Sequence, residues 1–209
     1  MSEKYIKILL VGTTNVGKNS LFQKLTIDNN KNSGIFDMHI IDLKLKIDVK
    51  DKYNKNITKL CKIKICYFNC LNRMNYLSKS YYENMDGILF IYDVTNIETY
   101  EKVENWIMDI YKNSGNEYVI GILGNKTDLI GVDGKEREID EENIRERYDQ
   151  YGDNKFWYRE CSIKKYTSDE LKILLKEFIK KIYKNIENKA ENYTDKKHMK
   201  IKKLKKTKK

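Results

Sequence analysis

Two runs of this chain, Gly87–Tyr92 (GILFIY) and Tyr118–Leu123 (YVIGIL), carry almost nothing but apolar side chains. A strand with no polar face has to be covered on both sides, which is the situation of a strand inside a parallel sheet. Between the two runs Tyr100, Val103, Trp106, Ile107 and Ile110 recur at helical spacing, the mark of a helix that lays one face on such a sheet. Thr95 and Glu98 stand at the spacing of a capping box before it.

The flanking segments extend this pattern. Tyr5–Val11 is a short apolar run that leads through Gly12 into a helix start at Leu21, Phe22 and Leu25. Ile41–Val49 and Ile57–Phe68 alternate apolar and polar residues around the polar turn DKYNKN, and so read as an antiparallel hairpin with one solvated face. Asp140–Tyr151 reads as a charged surface helix and Phe156–Cys161 as a last short strand. Thr167 and Glu170 form a second capping box, after which Leu171, Leu174, Leu175, Phe178, Ile182 and Ile186 line one helix face. Strands alternating with helices predict a doubly wound α/β sheet, which binds ligands at the carboxyl ends of its strands. There is no internal repeat and no sign of a second domain.

Charge divides the chain. Residues 189–209 hold 10 lysines against Glu191 and Asp195, so of the formal net charge of +10 the body, residues 1–188, keeps only +2. Apolar periodicity fades at about Lys189, and the lysine-rich segment 189–209 is expected to be a disordered tail. No apolar run is long enough to span a membrane, and the N-terminal MSEKYIKILLVG lacks a signal-peptide cleavage site. A cytoplasmic protein is expected. Cys61, Cys66, Cys70 and Cys161 have neither CxxC spacing nor nearby histidines. They read as small apolar residues of a reducing compartment.

Gly12-Thr13-Thr14-Asn15-Val16-Gly17-Lys18 lies between a strand and a helix, the context of a P-loop. Its glycines let the backbone wrap phosphates, its N–H groups and the helix N-terminus supply positive potential, and Lys18 reaches the β- and γ-phosphates. The candidate phosphate-binding residues are Gly12, Thr14, Asn15, Val16, Gly17, Lys18, Asn19 and Ser20. A P-loop has Ser or Thr after its lysine because that hydroxyl binds Mg²⁺. Here Asn19 stands there, with Ser20 one place late. One residue along a helix turns a side chain by about 100°, so Ser20 is no simple substitute.

After the strand YVIGIL comes Gly124-Asn125-Lys126-Thr127-Asp128-Leu129, and further on Glu160-Cys161-Ser162-Ile163-Lys164. With these residues the chain resembles the Ras superfamily, matching its NKxD motif and, in the second segment, its ETSAK loop. The resemblance covers roughly residues 4–188. Within the superfamily the chain is most similar to the Rab branch, through Ser80-Tyr81-Tyr82, the stretch GILFIYDVT and the placement of Trp106. The resemblance implies a P-loop NTPase of the small-GTPase G-domain type over residues 1–188. It also implies a mostly parallel six-stranded sheet with one antiparallel strand and helices on both faces. GTP or GDP is the implied ligand, with Mg²⁺ beside it. Asp128 would accept two hydrogen bonds from guanine and so reject adenine. The stem of Lys126 would pack over the base, Asn125 would tie the loops together, and the loop of Ser162, Ile163 and Lys164 would donate a backbone N–H to the guanine carbonyl.

The chain departs from the family pattern around the γ-phosphate. Aligning Ile63–Phe68 with the family's third strand puts Asn69-Cys70-Leu71-Asn72-Arg73 at the DxxGQ motif. Asn69 then replaces the magnesium-holding Asp, Asn72 the Gly that senses the γ-phosphate, and Arg73 the Gln that orients the attacking water. With Asp42 set against the family's aspartate, Met38 replaces the switch threonine, and the adjacent Asp37 is left as a substitute metal ligand beside Asn19. The guanine half of the site is kept while the metal half is altered. This pattern predicts a guanine-nucleotide-binding protein with little or no hydrolysis, its charge stabilisation left to Lys18 and the P-loop amides and its water to a partner or to Arg73, or an interaction scaffold that does not switch. Vesicle traffic is implied by the Rab resemblance alone, as are protein effectors and regulators.

No cysteine follows Cys161 in this sequence, so the prenyl anchor that the Rab resemblance implies is not expected. The lysines from Lys189 to Lys209 leave two main readings open, a solvated tail and a peripheral contact with anionic membrane at about 1 kcal/mol each. The near-neutral body argues against nucleic acid as a partner, and a monomer is expected.

Overall fold

The computed structural model describes residues 5–26, 32–35, 38–50, 53–68, 77–114, 118–149 and 155–206, with side chains up to residue 191 except at 32–35, 38 and 149. The strands are β1 (Tyr5–Val11), β2 (Asn32–Ile35), β3 (Met38–Lys50), β4 (Asn56–Phe68), β5 (Gly87–Asp93), β6 (Val119–Asn125) and β7 (Phe156–Glu160). The helices are α1 (Lys18–Thr26), α2 (Lys79–Tyr82), α3 (Ile97–Ser114), α4 (Glu141–Asp149) and α5 (Ser168–Lys206).

All strands join one sheet in the order β2-β3-β4-β1-β5-β6-β7. β4, β1, β5, β6 and β7 run parallel, and β3 is antiparallel to β4. These six are the expected strands. The sheet is nevertheless seven-stranded, because the short β2 adds antiparallel to the outer edge of β3. Its sequence, NSGI, has no alternating apolar pattern to announce a strand; an edge position needs none.

The pattern that predicts the sheet also fixes its two faces. Successive residues of β1 point to opposite sides: Ile6, Ile8 and Leu10 join a core with α1 and α5, while Leu9 and Val11 join one with α3 and α4. Every residue of β5 and β6 is buried. β3 alternates instead, with Ile41, Leu43, Leu45 and Ile47 buried and Lys44, Lys46 and Asp48 exposed, as a strand with one wet face should. Trp106 is fully buried on α3, its ring stacked 6.4 Å from Phe90.

Of the two expected capping boxes, one forms. Thr167 N–H donates to Glu170 Oε2 at 2.7 Å and Glu170 N–H to Thr167 Oγ1 at 3.2 Å. At α3 the other does not: the helix begins at Ile97, two residues after Thr95, whose hydroxyl donates to Asp93 Oδ1 at 2.8 Å. Glu138 from a distant loop takes the Ile97 N–H at 2.6 Å instead. The expected break near Lys189 is also absent from the backbone, since α5 continues to Lys206. Lys, Glu and Ala are good helix formers, and no Gly or Pro interrupts the run.

Cys61, Cys66 and Cys161 are buried free thiols, and burial pushes Cys161 up to about 12. Cys70 lies outside the described residues. No described helix is long and apolar enough to cross a membrane.

Candidate functional site

From β1 the chain crosses to β3 and β4 on one side and then returns to β5 on the other. The carboxyl end of β1 is therefore a topological switch point, where such sheets open a crevice. Gly12–Lys18 follows β1 at this point. A β-carbon on Gly12 would lie 2.5 Å from the Ile91 carbonyl oxygen. Asn15 has φ 62° and Gly17 φ 110°, conformations that suit Asn and Gly. A β-carbon at Gly17 would also collide with the Asn125 carboxamide, so this glycine makes room for the loop after β6.

Asn125 fastens the two loops, as its motif predicts. Its Nδ2 donates to the Val16 carbonyl at 2.7 Å, and its Oδ1 accepts the Ile163 N–H at 2.9 Å. The residue is 4 % exposed, so both bonds are sheltered from water. The Ile163 N–H, a candidate donor to the base, is thus used by Asn125. Asp128 Oδ1 accepts from the Ser162 hydroxyl at 2.5 Å, and Ser162 Oγ accepts in turn from the Lys165 N–H at 3.1 Å. Lys126 stands at φ 69° with its ammonium 2.7 Å from Asp93 Oδ2. Burial opposes the charged Asp93 carboxylate, yet Lys126 and the N–H and hydroxyl of Thr95 outweigh it and hold the group below the usual carboxylate range.

These residues enclose a cleft of about 490 Å³. Its wall runs from Asn15, Gly17 and Ser20 to Lys126, Asp128, Ile163 and Lys164. Candidates from both halves of the sequence reading thus meet in one cleft, with the exposed Thr14 on the loop between Gly12 and Asn15. Lys18 is 6 % exposed, and its ammonium donates to the Gly12 carbonyl at 2.8 Å and to that of Thr13. Burial lowers it to about 8. An anion in the loop would restore the charged form.

Sequence reasoning passed over three side chains that shape the cleft. Lys24 of α1 donates to the Lys164 carbonyl at 2.9 Å and to that of Tyr166. Arg137 grips Glu160 through both guanidinium nitrogens at 2.6 and 2.7 Å, just before the Ser162 loop. Tyr67 donates its hydroxyl to Asn19 Oδ1. Asp37, Asn69, Asn72 and Arg73 lie outside the described residues, as does the side chain of Met38. The side chain of β4 that reaches the residue after Lys18 is Tyr67, and no sequence signal sets it apart from the other residues of that strand face.

A family model, that of the Ras family, matches residues 7–188. The chain belongs to the Ras family. Among curated relatives, this Ras-family chain is 30 % identical over 125 residues to "Ras-related protein RabC" of Dictyostelium discoideum. It is 32 % identical over 124 residues to "Ras-related protein Rab-4" of the same organism. It is 33 % identical over 125 residues to "GTP-binding protein yptV2" of Volvox carteri. Each match covers 59 % of this chain and 61, 57 and 54 % of the relative, in that order. The aligned part is thus well short of two thirds of these relatives, and the likeness is to Rab-type members of the family.

Family membership implies Mg²⁺ beside the nucleotide phosphates. Among the described residues, the side chain that follows Lys18 differs from the hydroxyl such an ion takes there. Asn19 has a carboxamide where a hydroxyl is needed, and its oxygen already accepts from Tyr67. Ser20 is exposed and lines the cleft with Gln23 and Lys24. Among the described residues no group of three or more His, Cys, Asp and Glu side chains could hold a metal ion.

Proposed function

We propose that this protein is a Rab-like guanine-nucleotide-binding protein that hydrolyses GTP weakly or not at all. One observation carries the reading: Asn125 ties the P-loop to the Ser162 loop by two buried hydrogen bonds while Asp128 faces the same cleft. The base edge that donates to a carboxylate through two N–H groups is that of guanine, and adenine has no such pair. Lys18 and the P-loop amides would face the diphosphate. That a relative bears the name GTP-binding protein agrees with this. A role in vesicle traffic is proposed on the Rab likeness alone, since a shared fold does not fix a process.

Weak hydrolysis follows from the chemistry at Asn19 and from Arg73 in place of a water-orienting Gln. Single-turnover hydrolysis of radiolabelled GTP by the purified chain tests it. The expected rate lies below the roughly 10⁻⁴ s⁻¹ of an unassisted small GTPase, and a rate above that contradicts the proposal.

The Tyr67–Asn19 contact favours a second reading, an interaction scaffold that does not switch. Switch ordering depends on γ-phosphate and metal contacts. A scaffold would bind its partner equally in the GDP, GTP and nucleotide-free states, and a strong GTP preference would remove this reading.

A further inference from the structure

At the end of β4, Tyr67 is held on several sides. It is 3 % exposed. Its ring stacks on His39 with centroids 4.6 Å apart and meets the edge of Phe22 at 5.6 Å. Its backbone is paired with Leu10 on one side and His39 on the other. Turning the ring away would open this aromatic cluster. The hydroxyl is directed at Asn19 Oδ1 in the first turn of α1, next to Lys18, whose ammonium lies on the Gly12 and Thr13 carbonyls.

A small dication in this place would need near-octahedral oxygen ligands at about 2.0–2.1 Å. The phenol instead brings a proton donor, and it engages the carboxamide oxygen of Asn19. A donor hydrogen repels a cation where the cation most needs a lone pair. Lys18 offers a different solution: one fixed positive charge beside the P-loop amides and the N-terminus of α1, which together face phosphate oxygens.

We propose that Tyr67 fills the divalent-cation position of this site, and that the chain binds guanine nucleotide through Lys18 and the P-loop without Mg²⁺. The proposal rests on the guanine-nucleotide reading above. Mg²⁺ in solution then binds free nucleotide but does not slow its release from the protein.

The test is the dissociation rate of a fluorescent GDP analogue from the full chain, chased with unlabelled GDP in Mg²⁺ and in EDTA. Equal rates are expected. In the paired variant Tyr67→Asp with Asn19→Ser, a carboxylate and a hydroxyl replace the plug, and Mg²⁺ should slow release about tenfold or more relative to EDTA. An aspartate in the aromatic cluster can unfold the chain, so Tyr67→Phe with Asn19→Ser keeps the ring and removes only the donor; a thermal melt verifies folding of both. Release from the wild type that accelerates about tenfold in EDTA overturns the proposal and leaves the nucleotide reading intact. No binding in either buffer overturns both. Folded variants that stay indifferent to Mg²⁺ overturn the part given to Tyr67.

Discussion

At the scale of single residues, Lys18 makes nucleotide affinity depend on pH. Burial lowers its ammonium to about 8, whereas bound phosphates favour the charged form. Below about 8 the lysine is already protonated, and above it binding must take up a proton. GDP affinity should therefore be flat below this point and fall above it, by at most about tenfold per pH unit. Calorimetric titrations from neutral to alkaline pH check this, with Lys18→Arg expected to flatten the profile. Asp128→Asn should weaken GDP about a hundredfold, because two base donors lose an acceptor. The same variant should improve xanthosine diphosphate, whose carbonyl meets the new amide donor; competition against the fluorescent analogue reads both. The part of Asn125 in fastening the loops was legible in the sequence because its motif follows an apolar strand. Tyr67 was not, because its type and spacing are those of an ordinary strand residue and only the register of β4 against α1 brings it to Asn19.

At the scale of elements, the loops that carry Asn125, Asp128 and Ser162 are fastened by groups far apart in sequence. Arg137 reaches Glu160 at the end of β7, and the Tyr158 hydroxyl donates to the same carboxylate. Glu160 is 10 % exposed, so Arg137→Ala leaves a nearly buried carboxylate without its cation. A loss of about 1–3 kcal/mol is expected, read by urea denaturation, together with weaker GDP binding as the Ser162 loop loosens. Asn125→Ala should cost about 2–4 kcal/mol, since the Val16 carbonyl and the Ile163 N–H both lose their partner. The elements themselves were largely legible: β5 and β6 from unbroken apolar runs, β3 from its alternation, the start of α5 from its capping box. The box expected at Thr95 failed because α3 begins at Ile97, one residue too late for Thr95 to be its N-cap, a boundary that spacing alone does not decide.

At the scale of the whole molecule, the charge and the core occupy different parts of the chain. Leu171, Leu175, Phe178, Ile179 and Ile182 of α5 are fully buried on the sheet, each contributing about 1.5–3 kcal/mol. The lysines from Lys196 to Lys206 belong to the same helix, and we propose that the lysines of this segment meet anionic membrane. Removal of residues 192–209 should leave the melting temperature unchanged and abolish co-sedimentation with phosphatidylserine vesicles, an attraction that in the intact chain fades as salt rises. Sequence placed the site at the carboxyl ends of the parallel strands because doubly wound sheets leave their crevice there. It did not anticipate the seventh strand or the length of α5, which depend on pairing and on propensity rather than on apolar pattern. We propose that this Ras-family chain keeps guanine recognition although its metal position has changed. Calorimetric titration of the full chain with GDP and with ADP, in EDTA, tests it most directly. The account predicts saturable GDP binding and no measurable heat with ADP; equal binding of the two, or none of either, would contradict it.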